Sequence, residues 1–568
     1  MKRWKIKKEA PKSFIERFPE FSPVVLQLLY NRGITKEREI EKFLNPDWER
    51  DLYDPFLMKG MKETIGRIQK ALKKKEKIAL LGHFDVDGIT ATALLYLVFK
   101  KLGLHPIPYI PSRKEGYGIT EEAVRQLQKE KINLLISVDT GITCHKEVEL
   151  AKKLKMDVII TDHHEVPKNI PKAEAVLNPK QKNCPYPFKE LSGVGVVFKL
   201  TQALFQKCHD TLIHDTSDTF LKWLVDLVGL GTICDVVPLI EENRLFAKFG
   251  LIVLNKTKRI GLLKLYEKAQ INLGKIDPYA VSYIIGPRLN APGRMDHANA
   301  SFYLLTTEEP EKADALSKIL DDYNKSRQEI LEKVLKEAKE EVKAKNMLAK
   351  KLILLGKKEW PLGIIGLIAG RLKDEYSRPV VAVTVGGEKS KASARSIDTF
   401  HLVEILGSCS EYLIKFGGHK KAAGFTVFTS KLEELKKRLI DLAEERLTEE
   451  DVTPTIEIDS RIALSDISWD LWEQLAKFEP TGASNPPPVF LASDVRVEDV
   501  KTVANDKHLK MQLYGIEAIY FKAGNLVSSL SPSDIIDIVF QIKVDEWQSQ
   551  RRLILKILDL RKSEGVKE

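Results

Sequence analysis

IALLGHFDVDGIT (residues 78–90) is the stretch that decides the fold, because a short apolar run ends in a loop with one histidine and two aspartates. Two further segments repeat this arrangement, LLISVDTGIT (134–143) and VIITDHHEVP (158–167). Charged stretches with helical spacing separate the runs, namely Glu121–Lys131 and Lys146–Lys155. Strands that alternate with helices in this way predict βαβ units and a parallel sheet that is buried on both faces.

Acidic and histidine side chains follow the three apolar runs at equivalent positions, and they are His83, Asp85, Asp87, Asp139, Asp162, His163 and His164. In an open parallel sheet, ligands bind beyond the carboxyl ends of the strands, so these loops are predicted to meet in one crevice. Crowded carboxylates raise one another's pKa, and cations relieve that repulsion. Mixed Asp and His ligation favours divalent first-row metals such as Mn²⁺, whereas Mg²⁺ is less suited to imidazole.

The second half of the chain predicts three further elements. The charged segment Glu308–Lys345 has one apolar stripe at helical spacing, which is typical of a helix that connects two domains. A second α/β unit follows in KLILLG (351–356), WPLGIIGLIAGRL (360–372) and VVAVTV (380–385). From about Thr453 onward, five short strand-like stretches separated by polar turns predict a small barrel of the oligonucleotide-binding type.

These patterns predict an α/β chain in five parts. They are a helical lead-in, a parallel-sheet domain, a connecting helix, a smaller α/β domain and a C-terminal β-barrel, at residues 1–75, 76–306, 307–348, 349–450 and 451–568, respectively.

Composition is that of an ordinary folded protein. The 568 residues are 43% hydrophobic and 30% charged, which excludes a largely disordered chain. Lysine and arginine number 90 against 80 acidic residues, and the net charge of +10 permits a polyanionic partner without requiring one.

The five cysteines are odd in number and never spaced as CxxC, which disfavours a disulfide framework and a zinc finger. Apolar runs are too short to span a bilayer, so we expect a cytoplasmic protein without membrane contact.

The three acidic motifs, in this order and spacing, resemble the first three motifs of the DHH phosphoesterase superfamily, and ICDVVPL (233–239) resembles the fourth. Other segments resemble one branch of it, the RecJ single-strand-specific exonucleases. They are LNPK (177–180), LSGVGVVFKL (191–200), IGPRLNAPGRM (285–295), SARS (393–396), FGGHKKAAGF (416–425) and FEPTGASNPPPVF (478–490). The resemblance runs from about residue 45 to residue 562 and holds at every metal-binding position.

The resemblance implies a binuclear site for two divalent ions, with Mn²⁺ preferred and Mg²⁺ as the alternative. Asp139 is expected to bridge the ions. The other ligands divide into two sets, which are Asp87, His163 and Asp235 for one ion and His83 with Asp85 for the other. Asp162 is expected to orient His163, and His164 to face the scissile phosphate. Two neighbouring ions suit in-line displacement at phosphorus, so no side-chain nucleophile is required.

The resemblance also implies that single-stranded DNA is the substrate. The residues expected to bind it are Arg288, Arg294, Ser393, Arg395, Gly417, Gly418 and His419. Arginine presents a planar fork suited to phosphate, and paired glycines let backbone N–H groups approach an anion. We place Arg288 and Arg294 in a turn-rich segment, and Ser393 with Arg395 on a strand. The barrel is expected to stack bases on aromatic side chains along a basic groove.

The implied activity is a metal-dependent 5′→3′ exonuclease that degrades single-stranded DNA to 5′ mononucleotides in recombination and repair. The implied architecture is a DHH domain, a DHHA1 domain and an OB-fold, in a monomer that works with a single-strand-binding protein and a helicase. One alternative is a DHH-family phosphodiesterase for short oligonucleotides or cyclic dinucleotides, but such relatives typically have only the first two domains. The other is a catalytically inactive scaffold relative, which the intact set of metal ligands disfavours.

Overall fold

The computed structural model describes residues 2–112, 115–116, 118–212, 217–295, 299–547 and 550–563, without the side chains of 208–212, 217–218, 295 and 547. The described residues divide into two compact units. The larger unit draws on residues 4–286, 301–314 and 456–568, and the smaller unit on residues 1–3, 287–300 and 315–455. Within the described residues, no helix combines the length and the apolar character that a membrane span needs.

The chain begins with one short strand and four helices, which are β1 (Arg3–Ile6), α1 (Lys12–Arg17), α2 (Pro23–Asn31), α3 (Glu37–Leu44) and α4 (Met61–Lys74). The start of α2 is fixed by its sequence. The Ser22 hydroxyl accepts a hydrogen bond from the Val25 N–H, and Pro23 occupies the first helical position, where its missing N–H costs nothing.

A five-stranded parallel sheet follows, in the spatial order β3-β2-β4-β5-β6. Its strands are β2 (Ile78–Gly82), β3 (Ile107–Tyr109), β4 (Leu134–Val138), β5 (Asp157–Thr161) and β6 (Ala175–Leu177). The helices between them are α5 (Val86–Lys101), α6 (Glu121–Lys129) and α7 (His145–Lys153). Every residue of β2 and β4 is buried, as expected of strands covered on both faces. The predicted parallel sheet is confirmed.

A helical layer completes this part of the larger unit. Its helices are α8 (Gly193–Leu212), α9 (Ser217–Cys234), α10 (Glu241–Leu254), α11 (Ile260–Ala269) and α12 (Pro278–Ala280), with a π-helical turn at Val281–Ile285. Two helices follow, α13 (Gly286–Met295) and α14 (Asn299–Thr306), and their residues 287–300 belong to the smaller unit. Helices α9 and α10 approach closely at two glycines, since a Cβ on Gly229 would lie 2.6 Å from the Cα of Gly250.

The segment 285–295 is helical, so the predicted turn-rich conformation around Arg288 and Arg294 is wrong. Pro287 lies in the first turn of α13, where a missing N–H is tolerated. Pro292 lies inside α13, and a helix interior with proline gives up one backbone hydrogen bond. Proline and glycine favour turns locally, but here the preceding helical turn extends the helix through them.

The connecting helix and the second α/β part follow. The helix is α15 (Pro310–Ala344), 35 residues long, as the apolar stripe predicts. The other elements are β7 (Ile353–Lys357), α16 (Leu362–Tyr376), β8 (Val380–Thr384), β9 (Lys389–Arg395), α17 (Leu402–Gly407), β10 (Leu413–Gly418), β11 (Ala422–Phe428) and α18 (Leu432–Arg446). The sheet order is β10-β11-β9-β8-β7, and β7 and β8 form its parallel pair.

The C-terminal part of the larger unit is a closed barrel. Its elements are β12 (Thr455–Ile458), β13 (Ser460–Arg461), α19 (Trp469–Ala476), β14 (Phe490–Val503), β15 (His508–Leu513), β16 (Ile516–Tyr520), β17 (Ile535–Trp547) and β18 (Gln550–Lys562). Strands β14, β15, β16, β18 and β17 pair in that order, and β14 also pairs with β17, which closes the ring. This ring confirms the predicted OB-type barrel.

Short 3₁₀ helices complete the backbone, at Pro55–Leu57, Met347–Ala349, Ser410–Tyr412, Thr429–Lys431, Leu464–Asp466 and Gly524–Ser529. The N-terminal helices share one apolar core with the barrel. Phe18, Val25 and Phe43 belong to the same buried cluster as Phe478 and Phe540. Phe43 and Phe478 meet edge to face, with ring centroids 5.4 Å apart. The helical lead-in is therefore packed on the barrel at the other end of the chain.

Candidate metal centre

The acidic loops start at the same level of the parallel sheet. Gly82, Val138 and Thr161, the last residues of β2, β4 and β5, lie opposite one another in the strand register. The next residues along the chain are His83, Asp139 and Asp162, so the pattern of the sequence brings these loops to one edge, as predicted. Asp139 has a left-handed backbone, with φ of 59°, which aspartate tolerates better than most residues.

The first loop continues into α5 through Asp85. The Oδ1 of Asp85 accepts a hydrogen bond from the Gly88 N–H and caps the helix, while Asp87 lies in the first turn. A helix N-terminus favours negative charge, so both carboxylates gain from their positions. The second oxygen of Asp85 stays available and lies 2.9 Å from His83 Nδ1.

Three groups of side chains bring possible ligand atoms within 4.8 Å of one another among the described residues. They are His83, Asp85 and Asp139; Asp87, His163 and Asp235; and Asp139, His163 and His164. Asp139 lies between the other ligands because its two oxygens face different partners. Its Oδ2 is 3.6 Å from His83 Nδ1, and its Oδ1 is 3.2 Å from His163 Nε2.

The ring of His163 is oriented by a backbone carbonyl. Its Nδ1 lies 3.0 Å from Leu191 O and donates to it, which leaves a lone pair on Nε2. That Nε2 is 3.6 Å from Asp235 Oδ2 and 3.9 Å from Asp87 Oδ2, in addition to the oxygen of Asp139. In the metal-free chain a proton occupies that lone pair, because burial is outweighed by the hydrogen bond with Asp139 and the charge of Asp235, which raise the pKa of His163 well above its ordinary value. A cation is the group that fits such a site.

Asp162 is fully occupied by hydrogen bonds. Its Oδ1 accepts from the backbone N–H groups of His163 (2.8 Å) and His164 (3.0 Å) and lies 2.7 Å from His164 Nδ1. Its Oδ2 accepts from the Ile142 N–H at 2.9 Å. The ring that Asp162 contacts is therefore that of His164, whereas the expected partner is His163, which it holds through the backbone alone.

The start of α8 supplies contacts that the sequence did not single out as site residues. The Asp87 carboxylate accepts the N–H groups of Gly193 (2.7 Å) and Val194 (2.8 Å). A Cβ on Gly193 would lie 2.5 Å from Asp139 Oδ1, so a side chain here would displace that carboxylate. The signal in the sequence is the SGVG tetrapeptide ahead of an apolar helix, because a glycine at a helix start permits close approach to an anion.

The pKa values of the buried carboxylates follow from their crowding. Burial raises the pKa of Asp87 well above its ordinary value, and repulsion from Asp139 and Asp235 adds to the effect. Burial raises the pKa of Asp235 to about 7, against the attraction of His163. Burial opposes protonation of His83, but the charge of Asp85 outweighs it and raises the pKa to about 10. The folded site therefore retains protons near neutral pH unless another cation replaces them.

Several of the expected DNA-binding residues meet at the start of α16, within the smaller unit. Arg294 Nη1 donates to Gly363 O at 3.0 Å. A Cβ on Gly366 would lie 3.1 Å from Ser393 Oγ and 3.3 Å from Arg395 Nη2. The N-terminal end of a helix with two arginines and a hydroxyl beside it suits a phosphate.

Arg395 is half-buried, and its Nη1 donates to Ser393 Oγ (3.2 Å) and Ala394 O (2.9 Å). Burial lowers its pKa, and among the described residues no carboxylate pairs with it. Arg288 differs, since its Nε lies 2.9 Å from Asp321 Oδ1, and Asp321 also pairs with Lys325.

The glycine pair lies at the same end of the smaller unit's sheet. Gly417 on β10 pairs with Gly424 on β11, which pairs in turn with Ser393 on β9. Gly418 has φ of 140°, and a Cβ on it would lie 2.4 Å from Ala422 O, so a side chain is excluded there. The exposed His419 follows at the turn of the hairpin, and its N–H donates to Ala422 O at 2.7 Å.

Three family models match the chain. The DHH family N-terminal domain matches residues 77–232, the DHHA1 domain residues 344–445, and the RecJ OB domain residues 458–559. The single-stranded-DNA-specific exonuclease RecJ of Bacillus subtilis is 38% identical over 99% of this chain and 71% of that protein. The protein of the same description from Dickeya dadantii is 31% identical over 95% of this chain and 96% of that protein.

Solved structures agree with these matches. RecJ from Thermus thermophilus in complex with Mn²⁺ has a TM-score of 0.83 at 27% identity, covering 99% of this chain and 80% of that one. The Mg²⁺ complex of the same protein has a TM-score of 0.77 at 26% identity, and the match covers 99% of this chain and 79% of the other. An exonuclease RecJ bound to manganese is 32% identical and has a TM-score of 0.59. That match covers 69% of this chain and 96% of the other.

Proposed function

Because the chain belongs to the RecJ family of single-stranded-DNA-specific exonucleases, we propose that it removes nucleotides from the 5′ end of single-stranded DNA and releases 5′ mononucleotides. The observation that carries this proposal is the position of Asp139, whose two oxygens face His83 on one side and His163 on the other. One carboxylate between two ligand sets is the arrangement that a pair of divalent ions requires.

The residues that hold the metals are His83, Asp85, Asp87, Asp139, His163 and Asp235. Two divalent ions bound there, Mn²⁺ by preference or Mg²⁺, supply an activated water and positive charge for the phosphoryl oxygens. The hydrogen bond from His163 Nδ1 to Leu191 O keeps Nε2 available as a ligand. The N–H groups of Gly193 and Val194 donate to the Asp87 carboxylate and fix its orientation toward the metal site.

His164 acts on the substrate and not on the metals in this mechanism. Burial opposes its protonation, but the carboxylate of Asp162 outweighs burial and raises its pKa. With Nδ1 held by Asp162, the ring presents Nε2 to the scissile phosphate, where a protonated imidazole donates to a phosphoryl oxygen. Asp139, Asp162 and His164 thus form the catalytic set.

The residues at the start of α16 bind the DNA backbone. Arg294, Ser393 and Arg395 supply charged and neutral donors beside a helix N-terminus, which favours the 5′-terminal phosphate. Arg288 and the exposed hairpin of Gly417, Gly418 and His419 contact neighbouring phosphates. Since Arg395 lacks a carboxylate partner among the described residues, a phosphate is the anion that offsets its burial.

The other expectations stay part of the proposal. The five-part division at residues 75, 306, 348 and 450 stays a proposal; the DHH and OB models match within the second and fifth parts, and the DHHA1 model begins at residue 344, within the proposed connecting helix. The barrel binds the single strand beyond the active site. The protein is proposed to act as a monomer in the cytoplasm, in recombination and repair, with a single-strand-binding protein and a helicase as partners.

The test of the metal centre is Asp139→Asn, assayed with Mn²⁺ on a labelled single strand. Asparagine accepts the left-handed backbone and has the same size, so the fold is retained while the bridging charge is lost. We expect hydrolysis to fall at least ~10³-fold, the scale of removing a central electrostatic group. Asp157→Asn, at the opposite end of β5, is the control and is expected to retain activity; full activity of Asp139→Asn would refute the site.

Polarity is tested with strands blocked at one end. A block at the 5′ end should stop digestion and a 3′ block should not, while duplex DNA of the same sequence should be resistant. Digestion of a 5′-blocked strand, or a preference for dinucleotides over long strands, would contradict the proposed substrate.

A further inference from the structure

The connection between α9 and α10, residues 235–240, carries the ligand Asp235 on an unusual backbone. Val236, within this connection, and Glu241, directly after it, have left-handed φ values of 60° and 47°. A β-branched residue rarely adopts this conformation, which persists only where the surroundings enforce it. Val236 is also 69% exposed, so the restraint does not come from burial of its side chain.

The barrel contacts this connection at Leu239. Within the larger unit, residues 477–486, which we call the barrel segment, lie against this connection. The Leu239 N–H donates to Ala483 O at 2.8 Å. A Cβ on Gly482 would lie 2.7 Å from Leu239 Cδ1, so the Leu239 side chain packs directly on the backbone of Gly482.

Arg244, in the first turn of α10, fixes the barrel segment more firmly. The Arg244 guanidinium donates to four backbone carbonyls of the barrel segment, those of Lys477 (2.7 Å), Phe478 (3.0 Å), Glu479 (3.0 Å) and Pro480 (3.1 Å). The fifth N–H donates to Phe43 O at 3.2 Å, which uses the full donor set of an arginine. The side chain is 2% exposed, and burial lowers its pKa to about 10. A cation buried on carbonyls alone is a strong constraint on their positions.

The neighbouring Asn243 continues this network toward two of the three ligands of one metal set, Asp235 and His163. Its Nδ2 donates to Pro238 O, in the Asp235 connection, at 3.1 Å, and to Glu190 O. Glu190 precedes Leu191, whose carbonyl orients the ring of His163. The chain of contacts therefore runs from the barrel segment through Arg244 and Asn243 to Asp235 and His163.

We propose that the barrel segment, through Arg244 and Asn243, is a positioning device that sets the metal affinity of the Asp87, His163 and Asp235 site. The barrel then belongs to the metal centre structurally, in addition to binding DNA. This proposal rests on the proposed function, since it assumes that these three residues hold a metal ion. Arg244 and Asn243 are positioning residues, because their contacts are with backbone that carries the ligands.

The experiment is a titration of the protein with Mn²⁺. Binding is measured by isothermal titration calorimetry and by the electron paramagnetic resonance signal of free Mn²⁺. Arg244→Met removes the donors while keeping much of the volume. We expect one of the two Mn²⁺ sites to weaken ~10- to 100-fold, the usual effect of losing a partner that orients ligands. The second site, on His83, Asp85 and Asp139, should keep its affinity.

The matched control is Arg67→Met. Arg67 is equally buried and pairs with Asp157 and Glu76, in the region of the sheet where β5 begins, so its loss should lower stability and leave both Mn²⁺ affinities unchanged. If Arg244→Met does not fold, Asn243→Ala replaces it in the same titration with the same expectation.

Wild-type affinity at both sites in the folded variant, or an equal weakening in Arg67→Met, would overturn the proposal. A wild-type chain that binds no Mn²⁺ would instead contradict the proposed function. The two failures are therefore distinguishable in one set of titrations.

Discussion

At the residue scale, Gly193 shows how a position without a side chain can determine a metal site. Its N–H binds the carboxylate of Asp87, and the space of its missing Cβ is taken by the carboxylate of Asp139. The two carboxylates therefore approach because this residue is glycine. A methyl group at this position would displace the Asp139 carboxylate.

Gly193→Ala is accordingly expected to weaken Mn²⁺ binding by ~10-fold or more and to reduce hydrolysis in parallel, because Asp139 must move. The measurement is a Mn²⁺ titration with an activity assay on the same preparation. Gly66→Ala is the control, since Gly66 lies in α4 with nothing within 4 Å of an added Cβ. That change should leave Mn²⁺ binding intact and raise the free energy of unfolding by ~0.5–1 kcal/mol. Unchanged Mn²⁺ affinity in Gly193→Ala would refute this role.

The raised pKa values predict how pH affects the metal-free protein. Burial raises the pKa of Asp235 to about 7, and Asp85 raises that of His83 to about 10 against the effect of burial. The folded chain thus binds protons that the unfolded chain has released, so stability falls as pH rises between about 4 and about 10. The lowered pKa of Asp162, about 2 because His164 outweighs the effect of burial, contributes a change only under acid conditions.

Mn²⁺ replaces those protons, so its stabilising effect should grow with pH. We expect the increase in Tm that Mn²⁺ gives over a chelator to be larger at about pH 8 than at about pH 6. Differential scanning calorimetry at the two values checks this. In Asp235→Asn the difference between the two pH values should shrink, and a pH-independent Mn²⁺ effect in the wild type would contradict the assignment.

At the element scale, β9 and α16 together create a phosphate site that neither has alone. Strand alternation puts Ser393 and Arg395 on the same face of β9, and the packing of α16 brings Gly366 against them. Helix α13 adds Arg294 through its contact with Gly363 O. The sequence predicts the residue types and the strand, whereas the meeting of three elements depends on packing between residues distant along the chain.

Arg395→Met is expected to weaken single-stranded DNA binding by ~10- to 100-fold, because a charged hydrogen bond to phosphate is lost. Fluorescence anisotropy under metal-free conditions measures this with 5′-phosphorylated and 5′-hydroxyl strands. The preference for the phosphorylated strand should disappear in the variant. Arg378→Met is the control, since Arg378 donates to Leu348 O and Lys350 O in the same unit. Equal effects of the two changes would refute the phosphate site.

Helix α13 illustrates why element prediction failed at one place. The segment GPRLNAPGRM contains two prolines and two glycines, which locally favour turns. It follows directly on α12 and the π-helical turn, so helix formation there continues an existing helix and does not need a new nucleus. Local preference was outweighed by the neighbouring structure.

At the scale of the whole molecule, the net charge of +10 predicts a salt dependence and little else. Binding of single-stranded DNA should weaken linearly with salt concentration on logarithmic axes, with a slope of about −0.7 for each neutralised phosphate. Arg395→Met should reduce the slope by ~0.7, corresponding to one contact. Anisotropy titrations at several salt concentrations check this, and an unchanged slope would show that Arg395 does not neutralise a phosphate.

The association of the chain's two ends is the feature of the whole molecule that sequence patterns did not reveal. Helices α1 to α3 share a core with the barrel, and Arg32 donates to Asn485 Oδ1 and Pro486 O. Apolar periodicity says that a helix buries one face, but it does not identify the surface that covers it. The same ambiguity hid the contact of Arg244 with the barrel segment.

The parallel sheet, the long helix, the barrel and the metal-binding residue types could be predicted from the amino-acid sequence, because periodicity, strand-end aspartates and motif order are local properties of a chain. His83, Asp139 and Asp162 follow strands that are in register, so their convergence was predictable. Only the tertiary structure decided which carbonyl orients His163, which ring Asp162 contacts and what holds the Asp235 connection. Those choices depend on atoms brought within about 3 Å from distant parts of the chain, and contacts at that range are fixed by packing and not by pattern.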